Sequence, residues 1–107
     1  MFGNLGELAG LMKKFGEIQK NMKKMKQELA ETVLTGKDPT EKVSVELGGD
    51  LAVKGVHIDP SLLSSGNAPM VETACASALQ DALRQFKEVS AAKLSEATGG
   101  LSLPGLM

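Results

Sequence analysis

The sequence predicts an α+β fold of order α-β-β-β-α, with a small antiparallel sheet between two long helices. Three observations predict it. Apolar residues recur at helical spacing through residues 8–29, strict alternation replaces that period at 42–47, and helical spacing returns in an Ala-rich stretch over 68–97. The chain has 107 residues, which suits one domain spanning 1–107, with loose ends expected at 1–7 and 99–107.

The first helix rests on a heptad pattern. Leu8, Phe15, Met22 and Leu29 fall at one position of the repeat and Leu11, Ile18, Met25 and Thr32 at the other, so seven of the eight are apolar. Met12 and Val33 widen the stripe. Gly3, Gly6 and Gly10 each weaken a helix by about 1 kcal/mol relative to Ala, so the firm helix is expected from about residue 8 to 31. A first strand follows at 31–36, and Gly36-Lys37-Asp38-Pro39 has the composition of a turn. Lys42-Val43-Ser44-Val45-Glu46-Leu47 alternates as a strand with one buried face. Gly48-Gly49-Asp50 makes a tight connection to a returning strand over Leu51–Ile58. Apolar residues there run 51, 53, then 56, 58, and the slip at Lys54-Gly55 predicts a bulge. Asp59-Pro60 ends the strand and starts a short helical turn, and Ser64-Ser65-Gly66-Asn67 links it to the last helix. That helix carries Val71, Cys75, Ala78, Ala82, Phe86 and Val89 on one face, with Leu79 and Leu83 broadening it. Its alanines allow another element to come close, and Gly99-Gly100 caps it ahead of an apolar tail at 101–107. One helix can cover one sheet face. The apolar seam of the first helix then needs a partner, and the sheet has open edges, so symmetric pairing into a homodimer is expected.

Composition excludes several functions. Only Phe2, Phe15 and Phe86 are aromatic, too few for a single-strand binder built on stacking rings. No apolar run is long enough to cross a membrane, and no basic, apolar leader opens the chain, so a soluble cytoplasmic protein is expected. A lone cysteine closes no internal disulfide, and the Cys and His spacing offers no zinc set. Neither a metal, a cofactor nor a small-molecule substrate is expected.

Catalytic chemistry is poorly supplied. His57, the only histidine, could work with Asp59 on the same strand face, but a solvated imidazole is the better reading because two ligands do not make a site. Cys75 lies on the apolar face of the last helix and reads as a small hydrophobe rather than a nucleophile. Gly48-Gly49-Asp50 lacks the following Lys and helix of a phosphate loop. An enzyme is not expected.

Charge distribution is more informative than its sum. The formal net charge is −1, yet residues 13–26 hold six lysines and one glutamate. Lys13, Lys20, Lys23 and Lys24 fall opposite the apolar seam, while Lys14 and Lys26 flank it. At about 1.5 Å per residue this run spans roughly 20 Å, several phosphate steps of a duplex. Arg84, Lys87 and Lys93 add positive charge on the last helix, diluted by Asp81, Glu88 and Glu96. Charge alone leaves nucleic acid and a plain solvated face level.

Motifs along nearly the whole chain resemble the YbaB/EbfC family of small bacterial nucleoid-associated proteins. They are Met1-Phe2-Gly3, Met22-Lys23-Lys24-Met25-Lys26-Gln27-Glu28-Leu29, Val33-Leu34-Thr35-Gly36, Lys42-Val43-Ser44-Val45 with Gly49, and Val56-His57-Ile58-Asp59-Pro60-Ser61-Leu62-Leu63. Leu101-Ser102-Leu103-Pro104-Gly105 in the tail also matches, and the Ile-Asp-Pro-Ser-Leu-Leu stretch is the most specific piece. The resemblance implies a tweezer-like homodimer whose sheets form the body and whose long helices project. It implies binding of double-stranded DNA with little sequence preference, and a place at the nucleoid. Carried onto this chain, it assigns DNA contact to Lys13, Lys14, Lys20, Lys23, Lys24, Lys26, Arg84, Lys87 and Lys93. A dimeric protein–protein adaptor with incidental DNA binding is the alternative.

Overall fold

The structure, a computed structural model, describes residues 5–99. Its elements are α1 (Leu5–Glu31), β1 (Val33–Lys37), β2 (Val43–Gly48), β3 (Val53–Ile58), α2 (Pro60–Ser64) and α3 (Ala68–Ala97). This is the expected order, with α2 as the short turn after Asp59-Pro60. The opening Met1-Phe2-Gly3, Gly100 and the tail lie outside the described residues, as do most of the expected loose ends.

Helix α1 starts at Leu5, three residues before the firm start expected at residue 8. Its glycines lower propensity without breaking the helix, and a Cβ on Gly6, Gly10 or Gly16 would meet nothing within 4 Å. The helix ends where Thr32 Oγ donates back to the Glu28 carbonyl at 2.7 Å, after which the chain turns into β1. β1 therefore starts two residues later and ends one later than the 31–36 expected, because residue 31 still belongs to the helix.

The sheet order is β1-β2-β3, antiparallel throughout. Glu46 faces Gly55 while Leu47 faces Val53, so Lys54 is the extra residue of the bulge expected at Lys54-Gly55. The bulge keeps Val53, Val56 and Ile58 on one face, opposite Leu47, Val45 and Val43. The returning strand begins at Val53 rather than Leu51. Leu51 sits in the turn at φ 69°, and Asp50 Oδ1 accepts from the Ala52 N–H at 3.1 Å to close it.

After β3, Asp59 caps α2 by accepting from the Ser61 N–H at 2.8 Å, with Pro60 in the first turn. Asn67 caps α3 in the same way, accepting from the Met70 N–H at 3.2 Å. Helix α3 lies across β1 and β2. Val43, Val45 and Leu47 of β2, Leu34 of β1, Leu62 of α2, and Ala78 and Ala82 of α3 are buried together. Cys75 packs half-buried against this core as a small hydrophobe. Leu79, expected to broaden the buried face, is exposed because α3 meets the sheet through Ala78 and Ala82 instead.

Gly36 sets that contact. A Cβ there would overlap the Ala78 carbonyl, the Ala82 backbone nitrogen and the Ala82 methyl. Beside it, Asp38 is buried as the hub of the β1–β2 connection. It accepts from the Thr40 hydroxyl and, at 2.8 Å, from the Val43 N–H. The Thr40 hydroxyl bond, ahead of the backbone bonds, holds the Asp38 carboxyl below its ordinary value. Its stabilisation is present above the unfolded aspartate value of about 3.9 and is lost as pH falls through the lower folded value.

α3 leaves β3 largely uncovered, with Ile58 alone of the strand's apolar residues packed against the core. Val53 and Val56 point to the core face yet are 59% and 52% exposed. Both long helices also overshoot the sheet, which makes the molecule long. The radius of gyration is 20.4 Å, against about 13 Å for a compact chain of this length.

A methyl group at residue 36 has helix backbone and the Ala82 methyl to displace, so Gly36→Ala is expected to destabilise the fold by about 1–3 kcal/mol. A lowered urea midpoint with the slope unchanged is the expected readout.

Candidate nucleic-acid interface

α1 and α3 run antiparallel. Asn21 Nδ2 of α1 donates to the Ala97 carbonyl at 3.4 Å, and one to two turns along, Lys93 Nζ donates to Glu28 Oε2 at 2.8 Å. The last turn of α3 therefore lies level with Asn21. The first sixteen residues of α1 run on past it, about 24 Å at helical rise. Added to roughly 45 Å of α3, this projecting arm accounts for the 74 Å long axis.

The apolar seam divides at the same point. Leu29 is buried and Ile18, Met22 and Met25 are half-buried near the junction. Leu8, Leu11, Met12 and Phe15 are 55%, 55%, 67% and 65% exposed on the arm.

The arm and the helix just below it carry the lysines. Lys13, Lys14, Lys20, Lys23, Lys24 and Lys26 are all exposed. Among the described residues only Lys24 approaches a carboxylate, at 3.9 Å from Glu28 Oε1. Lys13, Lys20 and Lys24, at steps of seven and four, share one flank of the helix over about 17 Å.

The candidates on α3 are placed differently. Arg84 is held by Asp81 at 2.7 Å and Glu88 at 2.9 Å. Its bond to Asp81, then the charge of Glu88, raises its pKa, and the same Arg84 bond lowers that of Asp81. Lys93 is drawn onto Glu28, which raises its pKa and lowers that of Glu28. Lys87 is exposed, but with Arg84 it lines an open groove between α3 and β1 whose walls also carry Asp38, Glu41 and Asp81. Arg84 lies about 20 Å along the axis from the level of Lys20. The structure thus places the six α1 lysines on one helix, three of them (Lys13, Lys14 and Lys20) on its projecting arm, brings Lys93 to their base, and leaves Arg84 and Lys87 apart beside the sheet.

His57 completes no catalytic set. Its Nε2 lies 3.0 Å from Glu46 Oε1 across the outer sheet face, not beside Asp59 as the sequence allowed. No group of three His, Cys, Asp or Glu able to hold a metal occurs among the described residues. No helix among them is long and apolar enough to cross a membrane.

Comparison with known proteins supplies the identity. The profile of the YbaB/EbfC DNA-binding family matches residues 4–101, nearly the whole chain. The chain belongs to the YbaB/EbfC DNA-binding family. It is also similar to the crystal structure of an uncharacterized protein from Helicobacter pylori. The TM-score is 0.56 at 26% identity, with 88% of this chain and 98% of that one covered. The α-β-β-β-α architecture is shared. Membership supports DNA as a partner and a nucleoid-associated protein, and it points to a non-enzymatic one.

Two features of this YbaB/EbfC member escaped sequence reasoning. Asp81 and Gln85 reach the free edge of β1, where Asp81 Oδ2 accepts from the Lys37 N–H at 3.0 Å and Gln85 Nε2 donates to the Thr35 carbonyl at 2.8 Å. Nothing local in the sequence signals so long a reach. Glu28 reads as one more heptad charge, and only its spacing of four from Lys24 hints at a pair.

Because two carboxylates already neutralise Arg84, Arg84→Gln is expected to leave affinity for DNA within about twofold of the parent by gel shift at low salt.

Proposed function

We propose that this protein binds double-stranded DNA as a homodimer. The lysines of α1 make the phosphate contacts, with little sequence specificity. The single observation that carries this reading is a run of six exposed lysines on a projecting helix, where only Lys24 has a carboxylate near it among the described residues. A solubilising surface intersperses both signs, as α3 does at Arg84. Phosphates reward a one-sign surface, because each lysine that neutralises one releases condensed counterion. Lysines without base-reading partners position a duplex but carry no sequence information.

The two edges of the sheet support the homodimer. Side chains of Asp81 and Gln85 occupy hydrogen-bonding groups on the free edge of β1, which blocks strand addition there. No side chain does this for β3 among the described residues, and its apolar face is open at Val53 and Val56. One usable edge favours a closed two-fold pair over an open polymer. Two copies joined through β3 would present two lysine arms, the arrangement the tweezer shape requires. Binding of this kind suits organisation of the nucleoid and, through it, gene regulation.

The exposed stripe of Leu8, Leu11, Met12 and Phe15 supports a second reading, in which the arm recruits a protein and DNA binding is incidental.

A salt series with duplex DNA tests the first reading. If a dimer engages roughly six phosphates, log K against log salt falls with a slope of about −5. Changing Lys13, Lys20 and Lys23 together to Gln keeps helix propensity and the apolar seam. That variant is expected to stay dimeric, lose affinity equally for unrelated duplexes and show a shallower slope. Parental binding by the variant would move the adaptor reading ahead.

Assembly has its own test. The parent is expected to sediment at twice 11.2 kDa. Val56→Asp is expected to give a folded monomer, since the position is exposed within one subunit. A Val56→Asp dimer would place the interface elsewhere.

A further inference from the structure

Among the described residues the arm of α1 beyond Asn21 makes no hydrogen bond or ion pair with another element, so its direction is set where the lower half of the helix is anchored. Contacts with the turn after β2 and with α3 anchor that lower half. At the base, the Gly49 N–H donates to the Thr32 carbonyl at 2.9 Å, and a Cβ on Gly49 would overlap the Leu29 carbonyl. At the top, Asn21 reaches the Ala97 carbonyl. Between them lies Glu28, whose two oxygens face two lysines from different helices, Lys93 at 2.8 Å and Lys24 at 3.9 Å. Leu29 is buried and Met22 and Met25 are half-buried nearby, and Glu28 borders a cleft also lined by Asn21, Met25 and Ala97. From Glu28 to Lys13 is about 22 Å of helix. A tilt of roughly 10° about the junction moves Lys13 by about 4 Å, more than the 3.4 Å rise between phosphates of one strand.

We propose that Glu28 is a positioning residue for DNA binding: by bridging to Lys93 it fixes the angle of the α1 arm and so the register of its lysines on the phosphates. The proposal rests on the reading that this arm contacts DNA. It has a consequence that simple charge counting reverses. Glu28 is an anion beside a lysine cluster, so its removal should tighten DNA binding if charge alone mattered. As a positioning residue its removal loosens binding instead.

The test compares the parent with Glu28→Ala, Lys93→Gln and the swap Glu28→Lys/Lys93→Glu, which restores the bridge with polarity reversed and leaves net charge unchanged. Affinity for a duplex is measured at low salt. Spin labels at Ala9→Cys and Ser95→Cys, in a Cys75→Ala background, report the distribution of distances between the arm and α3. Glu28→Ala is expected to bind DNA about threefold or more weakly, despite losing a negative charge, with a broadened distance distribution. Lys93→Gln is expected to broaden it likewise, and the swap to return both readouts to near the parent. Tighter binding by Glu28→Ala with an unchanged distribution overturns the proposal, as does a swap that restores neither. Failure of the reading beneath it shows elsewhere: Lys13→Gln/Lys20→Gln/Lys23→Gln would then bind DNA like the parent, while the distance distributions still decide whether Glu28 holds the arm.

Discussion

The rest of the structure depends on the approach of α3 to Gly36. Ala78 and Ala82 lie where a side chain on residue 36 would stand, so helix backbone meets strand backbone with only methyl groups between them. Close packing of this kind gains dispersion contacts and tolerates no added methylene. It also fixes where the helix lies. With α3 centred over β1 and β2, Asp81 and Gln85 fall at the free edge of β1, and Val43, Val45 and Leu47 are sealed.

Fixing the helix there leaves two surfaces unfinished, the two that the proposed function uses. Most of β3 receives no cover: Ile58 packs against the core, but Val53 and Val56 stay open on that face. The end of α3 is set level with Asn21, so α1 outruns it and carries Lys13, Lys14 and Lys20 beyond it. Surfaces left unfinished by one subunit are where an assembly is completed, and a charged helix held away from the body can reach a duplex without the sheet colliding with it. Nine of the thirteen acidic residues lie on the sheet, the loops and α3, and within residues 13–26 of α1 only Glu17 is acidic. A net charge of −1 gives little long-range attraction, so DNA binding by the proposed lysine arm would act at short range.

Much of this was legible because the periods in the sequence are strong. The heptad stripe from Leu8 to Leu29, the alternation at 42–47 and the phase slip at Lys54-Gly55 are local signals, and each found its element. The boundaries at 31–36 and at Leu51 were less legible, because cap and turn geometry settled them: the Thr32 hydroxyl closes the helix, and Leu51 adopts a left-handed turn conformation usually left to glycine. The lysine cluster was visible as composition, but its meaning depends on distances between elements. Sequence could not show that Arg84 is neutralised by its own helix, that Lys93 is drawn to a carboxylate 65 residues away, or that Lys13 and Lys20 lie beyond the reach of α3. The exposure of Leu79 was hidden for the same reason, since only the packed helix shows which of two apolar faces meets the sheet.

The account's central claim is that DNA meets the protein along the α1 lysines rather than at the sheet or the groove beside β1. Backbone amide shifts recorded by NMR during titration with a short duplex address it residue by residue. The predicted result is perturbation concentrated between Lys13 and Lys26, equal for unrelated duplex sequences and fading as salt rises. Perturbation centred on the groove lined by Lys37, Arg84 and Lys87, with the α1 amides unmoved, would contradict it.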